Sequence, residues 1–204
     1  MAAQVIFLID DQASVRHALG EMLRVFGYQV ETYESADAFL AAVEQPKAGC
    51  IVADVRMPGT DGLGLVRELA RRGIAMPVVL ISGHADVPMA VAAIKSGAHD
   101  FIEKPVDDQH LVAAINRALA LSLERQDAEK SRSTDAERFA RLTPRQVEIF
   151  DLVAEGFTNQ AIATKLDIGV RTVESYRADV MEKMHAESIA GLVRQAIRLG
   201  RMAP

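Results

Sequence analysis

Cysteine is almost missing from this chain. Cys50 is the only one in 204 residues, so no disulfide can close within the chain and a reducing compartment is the expected setting. It stands in the apolar run CIVAD, where an inert core thiol is the expected reading ahead of a reactive one. Long apolar runs are missing too. None reaches the about 18 residues that a membrane span needs, and the start MAAQVIFLIDD meets acid before a signal peptide can take shape. A cytoplasmic protein without membrane attachment is therefore expected. Internal repeats and low-complexity tracts are absent, and with 50% hydrophobic residues the chain can bury a sizeable core, which excludes disorder throughout.

Positive charge is also in short supply, but unevenly so. Residues 1–120 hold 10 Lys or Arg against 15 Asp or Glu, residues 121–140 hold 4 against 5, and residues 141–204 hold 9 against 8. The acidic surplus sits in the first part. The last part is near neutral and can approach a polyanion if its basic groups share one face.

Over the first 120 residues, short β-branched runs alternate with amphipathic segments. Strands are predicted at 5–9 (VIFLI), 28–33 (YQVETY), 50–53 (CIVA), 77–82 (PVVLIS) and 100–102 (DFI). The first predicted helix runs through Val15, Leu19, Met22, Leu23 and Phe26 to a stop at Gly27. Others are capped by Ser35 and interrupted by Pro46, or span 61–72, 86–96 with Gly97 as the stop, and 108 onward. Five strands separated by helices imply right-handed crossovers and a parallel sheet covered on both faces. Residues 122–141 then lose the buried pattern and become a charged stretch. This places a first domain over 1–120, a partly helical linker over 121–141 and an all-helical domain over 142–204.

Chemistry gathers at the strand ends. The first strand ends at Asp10 and Asp11, and the third at Asp54. In a parallel sheet these carboxylates meet at the carboxyl edge, where such folds bind ligands. Crowded carboxylates call for a hard cation, and oxygen donors suit Mg²⁺. With a cation present, one aspartate can attack a phosphoryl group. Lys104 follows the fifth strand and can pair with that carboxylate, Pro105 can fix the turn, and Ser82 ends the fourth strand where its hydroxyl can donate to a phosphoryl oxygen. Each piece alone also has a bland reading: a cap or solvated turn for Asp10 and Asp11, a surface position for Lys104, a helix cap for Ser82. Their order along successive strand ends favours the shared site.

IFLIDDQASVR, ADVRMPGTDGL and LISGHADVPMAVAAIKSGAHDFIEKP are together very similar to the receiver domain of two-component response regulators, and GHADVPMA resembles the FixJ type. The resemblance covers 4–120. It implies a flavodoxin-like sheet of order 2-1-3-4-5. It also implies that Asp54 is the phosphoacceptor and that Asp11 is a direct Mg²⁺ ligand. Asp10 would act mostly through water, and the backbone carbonyl of Arg56 would be a further metal contact. Ser82 and Phe101 are the implied switch residues, Lys104 the salt-bridge lysine, and Lys104–Pro105 a cis bond; without the resemblance Phe101 reads as an ordinary core aromatic of a short strand. Val87, Val91 and Ile94, on the fourth helix, would form the face through which the phosphorylated protein dimerises.

The second half reads as a helix capped by Thr143 with Pro144 at its first position and Gly156 as its stop, followed by a helical hairpin. Thr158 caps the first helix of the hairpin, which packs through Ala161, Ile162 and Leu166. Residues 167–169 turn, and a second helix packs through Val173, Val180 and Met184. This spacing fits a helix-turn-helix, though generic helical hairpins share it. The wider pattern from LTPRQVEIFDL to DVMEKM is similar to the LuxR-type helix-turn-helix of the FixJ/NarL group over 142–200. That resemblance makes Arg171, Thr172, Lys183 and Ser188 phosphate-side contacts, and Glu174, Ser175, Arg177 and Ala178 the groove-facing set. Gln160 and Tyr176 depart from the group, which often has Lys and His at these two positions. The last helix carries Leu192, Val193, Ala196 and Ile197, a core side with a second dimer contact as its other use.

The joint expectation is a DNA-binding response regulator. It would take its phosphoryl group from a cognate histidine kinase, bind double-stranded promoter DNA as a homodimer and act on RNA polymerase. Its only catalysis would be on its own aspartate. The resemblance further implies an oxygen-responsive or nitrogen-fixation regulon. Two other classes fit less well: a phosphoaspartate-type hydrolase, for which no lid or extra general base is evident, and a phosphorylation-gated interaction module without DNA binding.

Overall fold

The computed structural model describes residues 5–43, 49–83 and 87–203. Pro46 and Asp86, the expected interruption after the second helix and start of the fourth, lie outside them. The chain divides into two units, Met1–Gln126 and Asp127–Pro204.

The first unit is a five-stranded parallel sheet built from β1 (Val5–Ile9), β2 (Gln29–Tyr33), β3 (Gly49–Asp54), β4 (Val78–Ser82) and β5 (Asp100–Glu103). Its spatial order is β2-β1-β3-β4-β5, all pairs parallel. Side chains alternate across the sheet and build two cores. Phe7, Ile9, Ile51, Ala53, Val78 and Leu80 face one core with Phe39 of α2 (Ala36–Ala42) and Leu65 of α3 (Gly62–Arg71). Ile6, Leu8, Cys50, Val52, Val79 and Ile81 face the other. That second face is covered by Leu23 of α1 (Ala13–Val25) and by Leu111, Ala114, Ile115 and Ala118 of α5 (Asp108–Phe139). The central strands are apolar up to their carboxyl ends, where Asp54 and Ser82 stand, because both faces are covered. Cys50 is fully buried, and burial pushes its thiol up, away from reactivity.

Local chemistry sets the helix ends. Ser35 caps α2 by accepting from the Ala38 amide at 3.1 Å, and Asp61 caps α3 by accepting from Gly64 at 2.6 Å. Gly27 ends the turn after α1 at φ 89°, a conformation that glycine adopts without penalty. Phe26, expected inside α1, is its C-cap residue, the helix ending at Val25, and is 49% exposed. α4 (Val87–Lys95) buries Ala93 and leaves Val87, Val91 and Ile94 exposed on one stripe.

The charged stretch after residue 120 is helical to Phe139. Part of it belongs to the second unit: Asp135 is buried and ion-paired with Arg198 at 2.6 Å, and the Phe139 ring meets Phe150 edge-on at 5.1 Å. These contacts fasten the end of the helix, through Asp135 and Phe139, to the helical core, while residues 127–134 stay exposed. Four more helices complete that unit: α6 (Pro144–Ala154), α7 (Asn159–Leu166), α8 (Val170–Lys183) and α9 (Ile189–Arg198). Thr143 and Gln146 form a reciprocal capping box at the start of α6. Asp167, at φ 52°, ends α7 and opens the tight turn to α8. Ile149, Phe150, Ile162, Val173, Val180, Met184, Leu192 and Ala196 form the core. Among the described residues no helix is long and apolar enough to cross a membrane.

Candidate phosphoryl site and nucleic-acid interface

Strand register decides which side chains meet. Ile9 stands beside Ala53, so Asp10 and Asp54 emerge level with each other at the carboxyl edge. Ile81 stands beside Asp54, and Ser82 beside Glu103, so Ser82 and Lys104 follow on the next two strands. The Lys104 amide donates to the Ser82 carbonyl at 2.8 Å, and the Lys104–Pro105 bond is cis.

Lys104 is the centre of the site. Its Nζ donates to Asp54 Oδ1 at 2.6 Å and to Asp10 Oδ2 at 2.9 Å. The remaining carboxylate oxygens are also engaged: Asp54 Oδ2 accepts from the Arg56 amide at 2.7 Å, and Asp10 Oδ1 from the Gln12 amide at 2.9 Å. Asp10 is 0% and Asp54 5% exposed. Burial works to lower the Lys104 pKa, but hydrogen bonds and attraction from Asp54 and Asp10 outweigh it and hold the ammonium above its ordinary value. One ammonium against two buried carboxylates leaves an excess of negative charge, to which exposed Asp11 adds.

Among the described residues no three metal-ligating side chains are gathered into a cluster, and Lys104 supplies the local positive charge. The donor chemistry nonetheless fits a hard cation. Asp10, Asp11 and Asp54 offer carboxylate oxygens and Arg56 a main-chain carbonyl, with negative charge in excess.

Around this centre, Ser82 is 1% exposed, and its Oγ lies 3.7 Å from Met89 Sδ. Phe101 is half-buried against the core beside the sheet. Three residues outside the sequence expectation shape the loop after β3. Asp37 accepts from the Thr60 hydroxyl at 2.6 Å and the Thr60 amide at 3.2 Å, which lowers its carboxyl pKa. Gly62 lies so close to the end of β3 that a Cβ there would stand 2.6 Å from the Asp54 carbonyl oxygen. The GTDG turn was a signal for such close approach; the partner Asp37, 23 residues away, left none.

In the second unit, α7, the turn and α8 form the helix-turn-helix. Arg171, Glu174, Ser175 and Ala178 recur at helical spacing and are all exposed, with Thr172 beside them. Arg177 differs from the rest of the groove-facing set. It shares the phase of Val173 and Val180, is half-buried, and donates to Asn159 Oδ1. Lys183 donates to Gln146 Oε1 at 2.8 Å, and Ser188 caps α9 by accepting from Gly191 at 3.1 Å. Tyr176 is half-buried against the core.

Residues 6–116 match the response regulator receiver domain, and residues 140–196 match the bacterial regulatory proteins of the luxR family. Transcriptional regulatory protein FixJ of Azorhizobium caulinodans is 45% identical over 195 residues, covering 96% of this chain and 92% of that protein. The chain belongs to the FixJ/NarL family of two-component response regulators. Among its relatives, response regulator protein TmoT of Ectopseudomonas mendocina is 40% identical over 195 residues, 96% of this chain and 89% of that one. The solved structure of response regulator StyR matches 96% of this regulator and 98% of its own chain, with 37% identity and a TM-score of 0.83. Full-length FixJ from B. japonicum matches 99% and 100%, with 40% identity and a TM-score of 0.59. A DNA-binding transcriptional regulator with a receiver domain thus accounts for both halves of the sequence.

Proposed function

We propose that Asp54 is the phosphoacceptor of this regulator. The observation that carries this is the Lys104 ammonium held between Asp54 and Asp10 at the carboxyl edge of the sheet. A carboxylate oxygen of Asp54 attacks the phosphorus of a phosphohistidine on a sensor kinase. The new O–P bond forms as the N–P bond breaks, and the imidazole keeps the electron pair. Asp10, Asp11, Asp54 and the Arg56 carbonyl would hold Mg²⁺, which when bound offsets the crowded negative charge and polarises phosphoryl oxygens. Lys104 pairs with the added charge, and the Ser82 hydroxyl donates to a phosphoryl oxygen. Phe101 fills the space that Ser82 leaves, with Pro105 shaping the turn beside it. Water later attacks the phosphorus and frees the aspartate, so the catalysis is confined to the protein's own side chain. Mass spectrometry of wild type and D54N, each with Mg²⁺ and a small acyl phosphate, tests the assignment. One phosphoryl group on wild type alone is expected; equal labelling of D54N refutes it.

The output reading follows from the second unit. Arg171, Thr172, Lys183 and Ser188 contact phosphates, and Glu174, Ser175, Arg177 and Ala178 face the major groove, with Arg177 released from Asn159 as it does so. Functionally the receiver spans 1–120, a connecting segment 121–141 and the DNA-binding domain 142–204. A near-neutral module binds one half-site weakly, so pairing two copies raises affinity. The exposed stripe of Val87, Val91 and Ile94 is the pairing face. Sedimentation with and without the acyl phosphate is expected to show dimer and monomer; one mass in both conditions rejects this face. The dimer then acts on RNA polymerase at promoters. An oxygen-responsive or nitrogen-fixation regulon, supported by the resemblance to FixJ, is tested by mapping bound promoters across the genome.

A further inference from the structure

The contact between Ser82 and Met89 ties the phosphoryl site to α4. Ser82 ends β4 beside the Asp54 strand, and Met89 lies on α4, two residues after Val87 and two before Val91. Ser82 Oγ donates to Met89 Sδ at 3.7 Å. A serine hydroxyl has a single proton to donate. Resting on the reading of Asp54 as phosphoacceptor, a phosphoryl oxygen and the Met89 sulfur are alternative acceptors for that proton. A thioether is a weak acceptor, so the phosphoryl group wins easily in the reduced protein. Met89 is also partly exposed, unlike the core methionine Met57 at 7%.

We infer that Met89 is a redox-sensitive restraint on the switch: its sulfoxide, formed by a peroxide, holds the Ser82 hydroxyl against α4 and slows phosphorylation of Asp54. In the oxidation the sulfur lone pair attacks one peroxide oxygen. The O–O bond breaks, that oxygen stays on sulfur, and the other leaves as water after taking up the protons of hydrogen peroxide. Sulfur loses two electrons and the peroxide gains them. The product is polar and reversible by methionine sulfoxide reductases. Its oxygen stands one bond beyond the sulfur, toward ordinary hydrogen-bond distance from Ser82 without movement of the helix. The resting arrangement is therefore strengthened, and a switch that samples its active state less often accepts a phosphoryl group more slowly.

The test uses the full chain with Mg²⁺ and acetyl phosphate. Wild type is treated with hydrogen peroxide, the peroxide is removed, and peptide mass mapping locates the added oxygen. Oxygen on Met89 and an about threefold to tenfold slower phosphorylation are expected, the range set by one added hydrogen bond, with recovery after a sulfoxide reductase. M89L phosphorylates at least as fast as untreated wild type and ignores peroxide, whereas M89Q is slow without it. The inference is overturned if oxidised wild type keeps or exceeds the untreated rate. It is equally overturned if Met89 resists peroxide, or if M89L slows as wild type does, which would place the effect on another of the eight methionines. Untreated wild type that takes no phosphoryl group marks failure of the Asp54 assignment itself and removes the inference with it.

Discussion

The two units bury polar groups in different ways. In the sheet unit Asp10, Asp54 and Ser82 converge on one edge, around a lysine that reaches two of them. In the helical unit the buried polar side chains are spread out and tie helices together: Asp135 to Arg198, Gln146 to Thr143 and Lys183, Gln195 to the Met184 carbonyl. Its exposed candidates, Arg171, Glu174, Ser175 and Ala178, lie outside that network. A receiver that reacts with a small group needs charge concentrated and shielded from water. A surface that reads a polyanion needs its side chains free. Three buried polar side chains of the first unit thus gather at the candidate site, while Ser122, which accepts from the Gly49 amide at 3.3 Å, ties α5 to β3 as the buried polar groups of the second unit tie its own parts.

This contrast makes predictions of decreasing size. Removing the Phe150 side chain is expected to cost about 3–5 kcal/mol, with loss of hydrogen-exchange protection in the helical unit and none in the sheet. Replacing Lys104 by methionine leaves two buried carboxylates without their cation. A loss of about 3 kcal/mol in Mg²⁺-free buffer is expected, partly restored by Mg²⁺ and confined by hydrogen exchange to the sheet unit. The pH dependence has a definite sign. The Lys104 pKa is raised on folding, so its stabilisation is complete below the ordinary lysine value of about 10.4 and fades as pH rises through the raised value. Denaturation of wild type between neutral and strongly alkaline pH should show that loss, and K104M should lack it.

Smaller effects separate structural from functional polar groups within the helical unit. T143A removes half of a capping box and should cost about 1 kcal/mol, seen as a lower denaturant midpoint without a change in DNA specificity. R171A should alter stability by no more than about 0.5 kcal/mol while weakening DNA binding and reducing its salt slope by about one. A large stability loss in R171A would break the division between buried scaffold and exposed reader.

The same division explains what was legible in the sequence. Strand ends and caps are local signals, so Asp10, Asp54, Ser82, Ser35 and Thr143 were visible from patterns only a few residues long. The cap at Thr143 and the stop at Gly27 have the chemistry expected of them, and Gln146 completes a capping box that was not read from the sequence. Contacts across long separations were not visible. Asp135 looked like one charge in a solvated stretch until Arg198, 63 residues later, met it. The Asp37–Thr60 contact and the Ser82–Met89 contact likewise depend on tertiary placement. Nor does the resemblance that places Arg177 in the groove-facing set announce its hydrogen bond to Asn159, 18 residues earlier.

Control of helix-turn-helix affinity for DNA by chemistry at Asp54 joins the two units in one mechanism. The direct measurement is DNA affinity at one fixed salt concentration for wild type and D54N, each with Mg²⁺ and with or without acetyl phosphate. A gain with the phosphodonor in wild type alone is predicted. Equal affinity in all four samples, or the same gain in D54N, would contradict it.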